Sequence, residues 1–147
     1  MIYDRAHAVN TAIRTVATRH RSRMAQALSA LGLHIGHEVV LLTLEAKGPQ
    51  NQRSLAAVSE IDASTMTVML RKLETEGFVS RRPSPEDRRA HIVDLTDKAR
   101  SVLPSLKKLY RDLAARTVAD MSDEEVDSFI RLLGDAARNL NGRTAPL

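Results

Sequence analysis

Three short groups of residues in this chain carry side chains suited to chemistry. Asp87, Arg88 and Arg89 stand together in the run PSPEDRRAH; Ser64, Thr65, Thr67, Val68, Arg71 and Lys72 fall within nine residues; His34, His37 and Glu38 fall within five. Adjacent arginines beside an aspartate suit an anionic partner, because guanidinium groups bond phosphate oxygens bidentately and are drawn into the narrow minor groove of DNA. In the second group, hydroxyls near a helix start, an apolar Val68 and two cations further on match what a helix laid in the major groove uses. Val68 suits a thymine methyl, while Arg71 reaches either a guanine edge or a phosphate. Ser64, Thr65 and Thr67 suit short contacts where free backbone N–H groups already favour phosphate, although helix-start chemistry alone also accounts for them. The third group invites a metal reading and falls short of it. His34 precedes the expected helix, and one His with a neighbouring Glu does not make a tetrahedral site.

These residues need a scaffold, and the local pattern supplies one. Met66, Met69, Leu70 and Leu73 recur at helical spacing on one face, with Ser64, Thr67, Val68 and Arg71 on another. Asp62 is placed to cap this helix and Gly77 to stop it. Phe78 to Arg82 then reads as a strand, Pro83-Ser84-Pro85 breaks it, and His91 to Leu95 returns, so Glu86, Asp87, Arg88 and Arg89 sit at a hairpin tip. Upstream, Asn51 is a good N-cap for a helix over Gln52 to Ser59, and Glu60-Ile61 makes the turn between the two helices.

The run from Gly48-Pro49 through LRKLETEGFVSRRPSPEDRR to Leu95-Thr96 resembles the winged helix-turn-helix of the multiple antibiotic resistance regulator (MarR) family. The resemblance implies a fold that is mostly α with a small β-hairpin wing, and two regions: a DNA-binding lobe over 35–96, and a helical dimerisation region formed by 1–34 and 97–147. It implies DNA contacts from the second group and from Asp87, Arg88 and Arg89, with Arg89 entering the minor groove, Arg88 on phosphate, and Asp87 holding the Arg89 guanidinium. It also implies a small-molecule cleft between the lobe and the long helices, bordered by His37 and Leu41; otherwise His37 simply caps or lines the start of its helix. Two departures stand out. Ser59-Glu60 occupies the place of the family's usual Leu-Gly pair, and Val68 and Arg71 replace an arginine and an acidic residue, so base preference is expected to differ from that of typical relatives.

The flanks are helical. No Gly or Pro interrupts Asp4 to Leu31, whose apolar residues keep one stripe, and a helix of this length, ~40 Å, exceeds what a small core needs. Its TRHRSR run is either a solvated face or a contact to DNA backbone or an acidic neighbour. His37 to about Gly48 forms a heavily apolar second helix. Thr96 is placed to cap a helix through Leu113 with a kink expected at Pro104, and Ser122-x-x-Glu125 has the form of a capping box opening a last helix to about Leu140. These helices are expected to form one layer that pairs with its copy in a second chain.

Aromatic residues make up only 3% of the 147, so the core is expected to be aliphatic. All of the net +4 arises in residues 1–37, where five arginines face Asp4 alone. The DNA argument therefore rests on local clusters, Arg81-Arg82 and Arg88-Arg89. There is no cysteine, which excludes disulfides, thiolate ligands and thiol redox sensing. No apolar run approaches the ~20 residues of a membrane span and no signal peptide opens the chain, so a cytoplasmic address is expected. Neither a nucleophile with its base, nor a Gly-rich phosphate loop, nor a carboxylate pair points to an enzyme, and no cofactor is expected. The expected activity is that of a homodimeric regulator, a repressor bound to an inverted-repeat operator and released by a small ligand, for which the resemblance implies a phenolic or other small aromatic acid. The competing expectation is a winged-helix module for protein contact.

Overall fold

The computed structural model describes residues 1–141. It divides into two compact units, Met1–Arg111 and Asp112 onward. In the first unit, helix α1 spans Tyr3–Ser29, α2 His37–Lys47, α3 Gln52–Ser59 and α4 Ala63–Thr75. Strands β1 (Gln50–Asn51), β2 (Val79–Pro83) and β3 (His91–Leu95) form an antiparallel sheet ordered β1-β3-β2. Helix α5, Asp97–Thr117, runs as one helix through Pro104 and passes into the second unit, which holds α6, Asp123–Asn141.

The helix boundaries follow local chemistry. Asn51 Oδ1 accepts the Ser54 N–H at 2.7 Å and Asp62 Oδ1 accepts the Thr65 N–H at 2.9 Å, each satisfying a donor that its helix cannot. Ser122 and Glu125 close the expected box: Ser122 Oγ accepts the Glu125 N–H at 3.3 Å and Glu125 Oε2 accepts the Ser122 N–H at 2.8 Å. At the end of α4, Gly77 takes φ +79° and the Phe78 N–H reaches back to the Leu73 carbonyl at 2.8 Å. That bond and the buried Phe78–Leu73 pair are a Schellman stop. Helix α3 ends the same way without glycine: Glu60 adopts φ +52° and the Ile61 N–H bonds to the Ala56 carbonyl at 3.1 Å. Glu60 therefore makes the turn between α3 and α4 without glycine, at the cost of about 1–2 kcal/mol for a side chain in the left-handed region.

The core is aliphatic and lies under the sheet and between α2, α3, α4 and the start of α5. Leu28, Val40, Leu41, Leu55, Met66, Leu70, Leu73, Val93, Ala99 and Leu106 are fully buried. Each large side chain among them contributes about 1.5–3 kcal/mol. Met69, expected on the packing face, is only half-buried. β1 was not foreseen: Gln50 pairs with Val93 and Asn51 with Ile92, adding a third strand to the hairpin. Thr96 joins the far side of that hairpin to α4, donating from Oγ1 to the Gly77 carbonyl at 2.6 Å while accepting the Ala99 N–H at 3.2 Å.

Candidate nucleic-acid interface

Helix α4 is mounted with its apolar face down and its second face outward. Val68 is 67% exposed, and the Arg71 and Lys72 side chains are exposed without a hydrogen bond or ion pair among the described residues. An apolar side chain and two uncommitted cations therefore stand on one open surface.

The hydroxyls beside them are already engaged. Asp62 accepts from Ser64 Oγ at 2.5 Å and from Thr65 Oγ1 at 2.6 Å besides the Thr65 N–H, and these bonds hold its carboxyl well below the usual carboxylate range. Thr67 Oγ1 donates to the Ala63 carbonyl at 2.9 Å and accepts from Gln52 Nε2 at 2.7 Å, tying α4 to α3. In the free protein these three residues thus build and fasten the start of α4. Each keeps an acceptor lone pair, but none has a hydroxyl proton free for phosphate.

The hairpin between β2 and β3 presents Asp87, Arg88 and Arg89 at an exposed tip. Its loop is folded by the Ser84 N–H to the Ala90 carbonyl at 2.9 Å and the Ala90 N–H to the Asp87 carbonyl at 3.0 Å. Asp87 Oδ1 accepts the backbone N–H of Arg89 at 2.9 Å. The carboxylate thus shapes the turn and leaves the Arg89 guanidinium outward, instead of gripping it as the sequence led us to expect. An aspartate two residues before a backbone N–H forms such an Asx turn readily.

The Arg81-Arg82 cluster is also revised. Arg81 bonds Glu74 Oε2 through Nε at 2.8 Å and through a terminal nitrogen at 2.5 Å, which holds the Glu74 carboxyl below its ordinary range. Only Arg82 remains exposed, so the free positive charge of the wing lies at Arg82, Arg88 and Arg89.

His37 and Leu41 do not form the expected pair. Leu41 is fully buried in the core, and His37 is 3% exposed with Nδ1 accepting the His34 N–H at 3.3 Å. Burial pushes the imidazole down to about 4, so it is neutral at physiological pH. Its exposed edge reaches a shallow groove of about 380 Å³ shared with Ser64, Thr65, Val68, Met69 and Lys72. Next to it Glu38, also buried, accepts the Gly36 N–H at 2.7 Å, and burial raises its carboxyl. Tyr110 is pushed up to about 12 by burial and then by Glu38, which places a second ionisable group near that carboxylate. Sequence reading singled out Glu38 only beside the two histidines and missed its proximity to Tyr110, because nothing local in the chain marks the two as neighbours. Among the described residues, no three His, Cys, Asp or Glu side chains gather as a metal site, and no helix is long and apolar enough to cross a membrane.

The arrangement of caps, turn, outward helix and winged hairpin can be set beside known proteins. Residues 35–91 match the family model described as MarR family. Those residues form a MarR-family domain. Among curated relatives the chain is 36% identical over 91 residues to the uncharacterized HTH-type transcriptional regulator YdgJ of Bacillus subtilis (strain 168). That match takes in 62% of this chain and 56% of YdgJ, so the chain spans just over half the length of that relative. It is 28% identical over 126 residues to the uncharacterized HTH-type transcriptional regulator YwoH of the same organism, covering 86% of this chain and 88% of YwoH. Among solved structures, the transcriptional repressor CouR bound to a 23-mer DNA duplex superposes with a TM-score of 0.83 at 28% identity, covering 93% of this chain and 97% of that one. The MarR fold therefore extends over the flanking helices as well as the matched lobe.

Proposed function

We propose that this chain is a homodimeric, sequence-specific transcription regulator that represses by occupying an inverted-repeat operator. The observation that carries the reading is the pairing of two surfaces that folding does not need: the open Val68-Arg71-Lys72 face of α4 and the Arg88-Arg89 tip of the wing. A helix of this kind fits the major groove, and an arginine-tipped hairpin fits the flanking minor groove. In this assignment Val68 meets a thymine methyl, Arg71 and Lys72 meet a base edge or phosphate, Arg89 enters the minor groove and Arg88 holds phosphate. Asp87 shapes the tip. Ser64, Thr65 and Thr67 contribute through the backbone N–H groups that they keep in place, and reach phosphate themselves only by releasing Asp62 or Ala63. The similar CouR is a transcriptional repressor that has been captured on a duplex, which agrees with this use of the fold.

The apolar surface that the single chain leaves uncovered supports dimerisation. On α1, Val9, Ile13 and Val16 form an exposed stripe; on α6 no residue is buried, and Ile130, Leu133 and Leu140 stand exposed. Two amphipathic helices with open apolar faces match a helical dimerisation region drawn from 1–34 and 97–147, with 35–96 as the DNA-binding lobe. Two-fold symmetry then sets the two α4 helices about one turn, ~10 base pairs, apart. A small aromatic acid, acting near His37, would release DNA by favouring a spacing of the two helices that does not match the half-sites.

The test is binding of the purified chain to duplex DNA across a salt series, with the stoichiometry read by sedimentation. Two chains per duplex, with affinity falling steeply as salt rises, is the expected result. One chain per duplex, or no binding at physiological salt, would overturn the reading.

A further inference from the structure

Besides the Thr96 bond at the base of the hairpin, the wing and the recognition helix meet at a side-chain ion pair that none of the assigned DNA contacts includes. Glu74 lies in the last turn of α4, and Arg81 lies in the middle of β2, two residues beyond the buried Val79 and therefore on the same face of the strand. That face turns Arg81 back toward the helix, where two of its nitrogens bond one Glu74 oxygen at 2.8 and 2.5 Å. The guanidinium side chain is 22% exposed and the carboxylate side chain 40%. His91 is the further titratable group facing the pair: it sits on the same face of β3 and opposes Pro83, and its charge acts on Glu74.

We propose that the Glu74–Arg81 pair is a clamp that sets the angle of the wing to α4, which makes Arg81 a positioning residue and not a DNA contact. A hairpin whose strands are five residues long can swing about its base, and a minor-groove arginine at its tip finds the groove only if the base is fixed. Packing of Val79, Val93 and Leu95 anchors the core side of the sheet. A two-pronged ion pair to the helix adds the directional restraint that apolar packing lacks. The inference rests on the DNA-binding reading given above.

The decisive experiment is Glu74→Gln, because the alternatives predict opposite signs. If Arg81 were a DNA contact restrained by Glu74, removing the carboxylate would free it and lessen repulsion of phosphate, so all duplexes would bind more tightly. The clamp predicts that binding to a duplex selected by the wild-type chain weakens on the order of tenfold, about 1.4 kcal/mol. Binding to an unrelated duplex stays unchanged or tightens. Arg81→Gln should weaken selective binding similarly, and the double variant should be no worse than either single one, since both remove the same interaction. Hydroxyl-radical protection of the minor groove should fade in all three, while guanine methylation protection in the major groove persists; a purely structural role would lose both together. A wild-type chain that selects no duplex would overturn the regulator reading and this inference with it. A selective wild type whose Glu74→Gln variant binds as well or better would overturn the clamp alone.

Discussion

Replacing Gly36 by alanine should cost about 2–3 kcal/mol of stability, and the cost divides into two parts that can be measured separately. Gly36 caps α2 with φ +93°, a backbone conformation that costs an L-residue about 1–2 kcal/mol. A Cβ there would stand 2.5 Å from Met69 Cε and 3.3 Å from Met69 Sδ. Carbon atoms in contact prefer about 3.5–4.0 Å, so the methionine tip must move by roughly 1 Å, and forcing it off its rotamer adds about 0.5–1.5 kcal/mol. Urea denaturation at fixed protein concentration, followed by circular dichroism, gives the change as a shift in midpoint with unchanged slope. In a Met69→Ala background the second part should vanish, leaving about 1–2 kcal/mol. A Gly36→Ala chain within about 0.5 kcal/mol of wild type would refute the left-handed turn, and an undiminished penalty in the Met69→Ala background would refute the contact between that turn and α4.

Arg89→Ala should weaken binding to a selected operator by about 1–3 kcal/mol in a titration while leaving the thermal transition in place. Acidification should destabilise the fold through His37: its folded value near 4 lies below the unfolded 6.5, so the unfolded chain binds more protons between them and stability falls as pH drops through that window. The full shift corresponds to at most about 3 kcal/mol. Glu38, whose carboxyl is raised, pulls the other way, so the test compares wild type with His37→Gln, which should show a flatter acid limb in urea titrations. Glu60→Gly should stabilise the chain by up to about 1 kcal/mol in the same assay, because glycine adopts the turn between α3 and α4 without strain. Leu133→Asp, on the open face of α6, should shift the sedimenting species from dimer to monomer.

What could be read from the sequence was what depends on near neighbours. The caps at Asn51 and Asp62, the Ser122–Glu125 box and the Gly77 stop each involve residues three to five apart, and the structure has them where the pattern put them. β1 escaped because two residues become a strand only by meeting Val93 and Ile92 far along the chain. The engagement of Thr67 by Gln52 and of Arg81 by Glu74 escaped for the same reason: a polar side chain looks free until the fold supplies its partner. Asp87 shows a finer limit. The D-x-R spacing permits both a side-chain and a backbone acceptor geometry, and only the path of the loop decides between them. His37 and Leu41 failed as a pair because a helix that is apolar nearly all round gives no sign of which residue faces an opening.

Selection of bound sequences from a random duplex pool by the purified chain, at near-physiological salt so that non-specific binding is suppressed, tests the central claim most directly. The account predicts enrichment of an inverted repeat with half-site centres about one helical turn, ~10 base pairs, apart. A pool that stays random through successive rounds would contradict it and turn attention to a protein partner for the exposed faces of α4 and the wing.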